Sequence, residues 1–394
     1  MIILDSLQKV AQAAGENEIV FLVAAFTGSF IICLILIPVI IKLSIKYNLV
    51  DKPNERKVHK VPISRLGGLA IVAGTLATFP LWFIYANQYF LLHLQTGLVI
   101  LMIIGIVDDL RELPPKVKFL GQVVAALFLA HAGLLIENMF GIFGINHLPV
   151  VIQYVLTVFI VAGIINAYNL IDGIDGLAGG LAFIDLSAFF IIFYLSGELG
   201  VAFITASTGG ALLAFLKYNW HPARIFMGDT GSMILGYLLS AAGIITLVFS
   251  RGQASHFQYS EAAIIVFSIF LLPVYDTLRV FSGRIINKKS PFNPDKTHIH
   301  HMLMQTGFNH PRSAKILYTA NIVIIATGFI LRSQPLSLVA PLLFLEVVLF
   351  SEFLTLYKLV KAWFRGRKLK NKALRMQVDN RLLLDNMEEK DGKD

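Results

Sequence analysis

Charge is scarce in this chain and cysteine almost absent. Asp, Glu, Lys and Arg together make up 15% of its 394 residues, where a soluble domain carries roughly 25%. With 56% hydrophobic residues and a mean hydropathy of +0.71, an ordinary soluble fold is excluded. The one cysteine, Cys33, lies inside an apolar block, so no intrachain disulfide can form. A cleavable leader is not expected, because residues 1–18 lack a basic start followed by an apolar core. They are expected to form an external segment, with residues 1–17 as a short interfacial helix.

What the chain has instead is long apolar blocks. Eleven of them, at 19–41, 66–86, 90–107, 119–136, 150–165, 176–195, 199–216, 230–249, 261–281, 314–331 and 336–357, approach the ~20 residues that cross a hydrocarbon core of about 30 Å. Backbone in lipid must satisfy its own hydrogen bonds, which makes each block a helix. The expected fold is all-α, a polytopic membrane protein of about eleven transmembrane helices. Residues 19–357 form its transmembrane domain, and 358–394 a basic-then-acidic tail held to anionic membrane lipid.

Lysine and arginine orient the bundle. With the N-terminus outside, thirty of the 33 basic residues fall on the inner side, the exceptions being Lys9, Arg251 and Arg332. Cytoplasmic loops carry such an excess, so the C-terminus is expected in the cytoplasm. The formal charge of +8 then coats the inner membrane face, and no nucleic-acid partner is expected. Outer loops such as 196–200 and 332–335 are short and plain, whereas the inner loops hold almost every polar cluster. The spans hold few ionisable groups, such as His93 and His131. An enzyme acting on a cytosolic substrate fits that asymmetry; a carrier is expected to place acids at mid-span.

Asp108 and Asp109 close the third span, where the helix C-terminus disfavours each carboxylate by about 0.3–1 kcal/mol. Either a cation sits nearby, or Arg111, Lys116 or Lys118 neutralises the pair. The stretch Asn166–Gly180 (NAYNLIDGIDGLAGG) gathers Asn169, Asp172 and Asp175 where the sixth span begins. Asp172 is a candidate N-cap there, sharing a face with Asp175. Capping accounts for one acid and not for three converging polar side chains. At the eighth span, Phe226-Met-Gly-Asp-Thr-Gly-Ser232 places Asp229 either as an N-cap or as a ligand, with Asn219, His221 and Arg224 just before it. Phe226 either stacks on a base or anchors at the interface.

Two inner loops are basic. From Arg279 to Arg312 the chain carries Arg284, Lys288, Lys289, Lys296, His298, His300 and His301. With no cysteine nearby and His300 adjacent to His301, a closed zinc site is disfavoured, and the loop suits the oxygens of a diphosphate. Residues 51–68 carry His59, Lys60, Ser64 and Arg65 before Gly67 and Gly68. That run is a positive-inside signal or a second phosphate-binding surface, and its glycines are expected to let the second span pack closely. Hard carboxylate oxygens beside basic loops point to Mg²⁺ or Mn²⁺ and to phosphoryl transfer at the membrane surface.

Taken in order, Val107-Asp-Asp-Leu110, Asn166-Ala-Tyr-Asn-Leu-Ile-Asp-Gly-Ile-Asp-Gly-Leu177, Phe226-Met-Gly-Asp-Thr-Gly-Ser232 and Pro294-Asp-Lys-Thr-His-Ile-His-His301 resemble the motifs of the polyprenyl-phosphate N-acetylhexosamine-1-phosphate transferases. The resemblance covers residues 19–357. It implies a multi-pass protein of the bacterial inner membrane that moves a sugar-1-phosphate from a UDP-sugar to undecaprenyl phosphate on the cytoplasmic side. UMP leaves, Mg²⁺ is the cofactor, and a homodimer is plausible. The resemblance assigns Asp229 to Mg²⁺, and Asp108 and Asp109 to catalysis or metal support. Asn169, Asp172 and Asp175 go to the nucleotide sugar, Phe226 to uracil stacking, and His298, His300 and His301 to the diphosphate. Asn219, Arg284, Lys60, Ser64 and Lys116 complete the substrate-binding candidates.

His298-Ile-His-His301 is similar to the branch using UDP-GlcNAc, which begins surface glycans such as O-antigen or teichoic acid linkages. The branch using UDP-MurNAc-pentapeptide has three consecutive histidines. Two mechanisms are open. The lipid phosphate attacks the β-phosphorus directly, or an aspartate first forms a covalent phosphosugar. Direct attack is favoured, since a lipid phosphate is already largely ionised near pH 7.

Overall fold

The computed structural model describes residues 18–51, 62–85, 88–140, 145–251, 257–288 and 297–391. His59, Lys60, Lys289, Lys296 and the segment 1–17 lie outside the described residues. In chain order the elements are α1 (Glu18–Lys46), β1 (Val50–Asp51), β2 (Ile63–Ser64), α2 (Gly67–Ala77), α3 (Phe79–Tyr85), α4 (Gln88–Arg111), α5 (Pro115–His131) and α6 (Val150–Ile171). They continue with α7 (Leu177–Leu195), α8 (Leu199–Asn219), α9 (Gly228–Phe249), α10 (Tyr259–Ile286), α11 (Ile299–Gln305), α12 (His310–Leu331) and α13 (Leu336–Asp391).

Every apolar block is helical, and among the described residues nine helices are long and apolar enough to cross a membrane. Two blocks depart from a single long span. Block 66–86 breaks at Thr78 into α2 and α3, where the Thr78 hydroxyl lies 2.8 Å from Thr75 O and 2.6 Å from Ser207 Oγ. Block 119–136 yields the 17-residue α5. Several helices outrun their apolar blocks, as α10 does to Ile286 and α1 to Lys46. Hydropathy marks the part of a helix that matches lipid, and helix ends extend beyond it into the interface. The tail continues α13 as one helix of 56 residues.

Large apolar side chains line the outside of the bundle, among them Ile35 at 62%, Phe159 at 73% and Ile330 at 78% exposure. A surface of that kind belongs against hydrocarbon. Inside, α9 is the most deeply buried helix and packs on α2, α4, α6, α7 and α10, while α8 lies between α1, α2, α3 and α7. Phe189, Phe193, Phe215 and Tyr237 fill the centre. The expectation for Gly68 holds: a Cβ there would lie 2.3 Å from the backbone N of Gly231, so α2 meets α9 backbone to backbone.

The spans are less free of ionisable groups than expected. Asp185, in the middle of α7, is fully buried, with Oδ1 accepting from Asn321 Nδ2 at 2.7 Å and Oδ2 accepting from the Tyr168 hydroxyl. It ties α6, α7 and α12 together. An acid at mid-span is a functional candidate by default, but this one is fully buried and held by its two partners.

Candidate functional site

Adjacent residues at the end of α4 do different work. Asp109 accepts from the backbone N of Asp229 at 2.7 Å and of Thr230 at 3.1 Å, and from Thr230 Oγ1 at 2.6 Å. It caps the N-terminus of α9 from another helix, so the field that disfavours an acid at one helix end is offset by the positive end of a second. That contact needs α4 and α9 to touch, and they do at Gly105, where a Cβ would lie 2.4 Å from Thr230 Cα. Asp108 turns elsewhere. Its Oδ1 accepts from Leu113 N at 2.6 Å and its Oδ2 from Lys118 Nζ at 3.0 Å.

Asp229 stands in the first turn of α9, where its negative charge is favoured. It is not the N-cap, which is Met227. Its Oδ1 accepts from Asn169 Nδ2 at 2.7 Å and lies 3.6 Å from Lys118 Nζ. Lys118 therefore bridges Asp108 and Asp229. Although burial alone would lower its pKa, the carboxylates of Asp229 and Asp108 raise it on balance and keep it charged. Lys116, the candidate from sequence, is exposed.

Asp172 ends α6 as its C-cap and does not begin the next helix; α7 starts after Gly176, and no side chain caps it. The expected N-cap role is thus overturned, because the -Asp172-Gly-Ile-Asp175- turn separates the two helices. Among the described residues the Asp172 carboxylate has no hydrogen-bond donor. Burial, then the charges of Asp229, Asp109 and Asp175, push its pKa up to about 7. Asp175 does not cap α7 either. Its Oδ2 meets His221 Nδ1 at 2.6 Å and accepts from Ala223 N at 3.2 Å, and its Oδ1 lies 3.4 Å from His310 Nδ1. Burial opposes its charge, but the bonds from His310 and His221 win and hold its pKa below the usual carboxylate value.

The histidines come to the same end of the bundle. His298 Nδ1 meets Asp276 Oδ2 at 2.9 Å, and Asp276 Oδ1 accepts from Ile299 N at 3.0 Å and from Arg279 at 2.9 Å. Asp276 was not singled out from the sequence, and it fixes the ring of His298 and the start of α11. His300 is buried with neither ring nitrogen hydrogen-bonded. Burial and the neighbouring His301 lower its pKa to about 3, so the ring is neutral. A Cβ on Gly173 would lie 2.1 Å from His300 Nε2. The turn that carries Asp172 can therefore press against the imidazole only because residue 173 lacks a side chain.

Other candidates are structural. The Ser64 hydroxyl is buried against Ser44 Oγ at 2.8 Å and accepts from Leu66 N at 3.2 Å. Asn219 is buried, accepting from Gly176 N and donating to Ile225 O, each at 2.9 Å. Both residues brace the loops around the site through these bonds. Phe226 is half-buried and held by its backbone, its N donating to Ser64 O at 2.7 Å and its O accepting from Gly67 N at 3.0 Å. Arg284 is buried near the end of α10, 5.8 Å from the Phe281 ring centre. His301 stacks at 4.2 Å from His300.

Asp108, Asp172 and Asp229 offer hard oxygens that suit a small divalent cation, and the unbonded Asp172 carboxylate is the group such a charge would relieve. Asp109, expected among the ligands, has both oxygens occupied by α9. Among the described residues, three ligating atoms approach within 4.8 Å of one another at Asp175, His221 and His310, and not at these acids.

Residues 91–247 match the profile of "Glycosyl transferase family 4". The chain is 35% identical over 340 residues to a probable undecaprenyl-phosphate N-acetylglucosaminyl 1-phosphate transferase of Bacillus subtilis, covering 84% of this chain and 91% of that protein. It is 31% identical over 351 residues to an undecaprenyl-phosphate alpha-N-acetylglucosaminyl 1-phosphate transferase of Salmonella typhimurium, covering 86% and 92%. To a decaprenyl-phosphate N-acetylglucosaminephosphotransferase of Mycolicibacterium smegmatis it is 34% identical over 300 residues, covering 70% and 73%. With its four motifs in order and these relatives matched along most of their length, the chain belongs to the polyprenyl-phosphate N-acetylhexosamine-1-phosphate transferase family.

Proposed function

We propose that the protein transfers GlcNAc-1-phosphate from UDP-GlcNAc to undecaprenyl phosphate, releasing UMP and forming GlcNAc-diphospho-undecaprenol. The carrying observation is the acid cluster of Asp108, Asp172 and Asp229, the first and last bridged by Lys118, set beside an unbonded, neutral His300. Carboxylates and a lysine at the end of a membrane bundle suit a diphosphate donor and a lipid phosphate meeting at the bilayer surface. The names of the Bacillus and Salmonella relatives supply the acceptor and the sugar. We further propose eleven crossings, N-terminus outside, with the site facing the cytoplasm of the bacterial inner membrane; the bias of basic residues supports this.

Asp108, Asp172 and Asp229 would hold Mg²⁺ or Mn²⁺, which when bound neutralises charge on the diphosphate. Lys118 orients the acids and balances their charge. Asn169 fixes the Asp229 carboxylate, and His300 offers a ring nitrogen to a phosphate oxygen. The lipid phosphate attacks the β-phosphorus directly, with an aspartate as base for any proton it still carries, and the bond to UMP breaks. A carrier of phosphorylated solutes is not supported, because its expected mid-span acid, Asp185, is locked between Tyr168 and Asn321.

The test uses purified protein, Mg²⁺, undecaprenyl phosphate and a panel of UDP-sugars, with UMP release measured. UDP-GlcNAc is expected to react and UDP-MurNAc-pentapeptide not to. No UMP from any donor would overturn the proposal.

A further inference from the structure

Asp175, His221 and His310 are brought together from three places: the turn before α7, the loop between α8 and α9, and the first turn of α12. Their ligating atoms lie within 4.8 Å of one another. His310 Nδ1 lies 3.3 Å from the backbone N of Asp175 and 3.4 Å from Asp175 Oδ1, so it is shared at long range between two atoms of one residue. On the other carboxylate oxygen, His221 Nδ1 approaches at 2.6 Å, and the two imidazole ring centres are 4.8 Å apart. His310 is buried, and its Nε2 has no partner.

A cation held between His310 Nδ1, His221 Nδ1 and the Asp175 carboxylate would bind all three at once, where His310 now makes only long contacts. Two imidazole nitrogens and one carboxylate oxygen suit a borderline transition ion over Mg²⁺. Three protein ligands also leave a coordination position open. His221 is exposed, which gives the ion a way in.

We propose that Asp175, His221 and His310 form a site for one divalent transition-metal ion of the Zn²⁺ or Co²⁺ class, separate from the acids at Asp229. A bound ion clamps the turn before α7 to the α8–α9 loop and to the start of α12. The site does not depend on the proposed transfer reaction, so either idea can fail alone.

The test is made on full-length, tag-free protein in detergent with excess Mg²⁺, titrating Zn²⁺ against a chromophoric chelator and recording the Co²⁺ spectrum. One ion per chain is expected, with His221→Ala and His310→Ala each weakening it about tenfold or more and Asp229→Asn leaving it unchanged. Zn²⁺ should raise the melting temperature of the wild type and not that of His221→Ala. If His310→Ala fails to fold, His221→Ala decides, since its side chain lies at the surface. The proposal is overturned by no saturable binding in the wild type, by His221→Ala binding as tightly as wild type, or by loss of binding in Asp229→Asn.

Discussion

The acid side of the site and the histidine side meet at Gly173, and they handle charge in opposite ways. On the acid side, Asp108, Asp109, Asp172 and Asp229 crowd together with Lys118 bridging two of them, so negative charge is left over. On the histidine side, one carboxylate, Asp276, is saturated by His298, Ile299 N and Arg279, and His300 stays bare and neutral. Each side uses one aspartate as a bracket, Asp109 or Asp276, and presents other groups to whatever enters. The surplus on one side calls for a cation. The other side keeps a neutral ring whose nitrogens are tied up in no ion pair.

The largest effect that would test this division is at Asp229. Asp229→Asn removes the carboxylate and keeps its shape, and kcat for UMP release is expected to fall on the order of 10³-fold. A fall of less than about tenfold would mean the acid side does not hold the reacting diphosphate.

The two brackets should matter less and in another way. Asp109→Asn leaves at least one donor of the α9 N-terminus without its acceptor, and Asp276→Asn sets an amide against His298. Each is expected to cost about 1–3 kcal/mol of stability and about 10–100-fold in kcat, read from thermal unfolding in detergent beside UMP release. If Asp109→Asn melts like wild type yet is as inactive as Asp229→Asn, Asp109 touches the reacting groups and is no bracket.

This distinction was not legible in the sequence. The order of motifs and the alternation of apolar blocks with polar loops placed Asp108, Asp109, Asp172, Asp229 and the histidines at one end of an all-α bundle. Those inferences rest on periodicity and charge, which sequence displays. Which carboxylate faces a helix N-terminus and which faces Lys118 depends on how α4 meets α9. That contact rests on Gly105 lying against Thr230, 125 positions away. Asp276 and Asp185 sit inside blocks that read as membrane spans, and only packing reveals that Asp276 orients His298. Asp172 looked like a helix cap because its position permits it; the turn geometry before α7 decided otherwise, and the distant His221 and His310 hold Asp175.

The smallest effect separates the two sides by the sign of their pH response. Asp172 has its pKa raised from 3.8 to about 7, through burial and neighbouring acids. Between those values the folded chain binds the proton more tightly than the unfolded one, so stability falls as pH rises through that window. His300 has its pKa lowered from 6.5 to about 3, through burial and His301. There the unfolded chain binds the proton more tightly, and stability falls as pH drops below 6.5. Each contribution reaches about 1.4 kcal/mol per pH unit within its window. Melting temperatures from pH 4.5 to 7.5 should therefore tilt in opposite directions when the two groups are removed. Asp172→Asn should gain on wild type toward pH 7, and His300→Asn should gain toward pH 4.5. Mg²⁺ should shrink the gain of Asp172→Asn by neutralising the acid side, and leave that of His300→Asn alone. If the curves of both variants run parallel to wild type, the charge surplus and the neutral pocket are not real differences between the two sides.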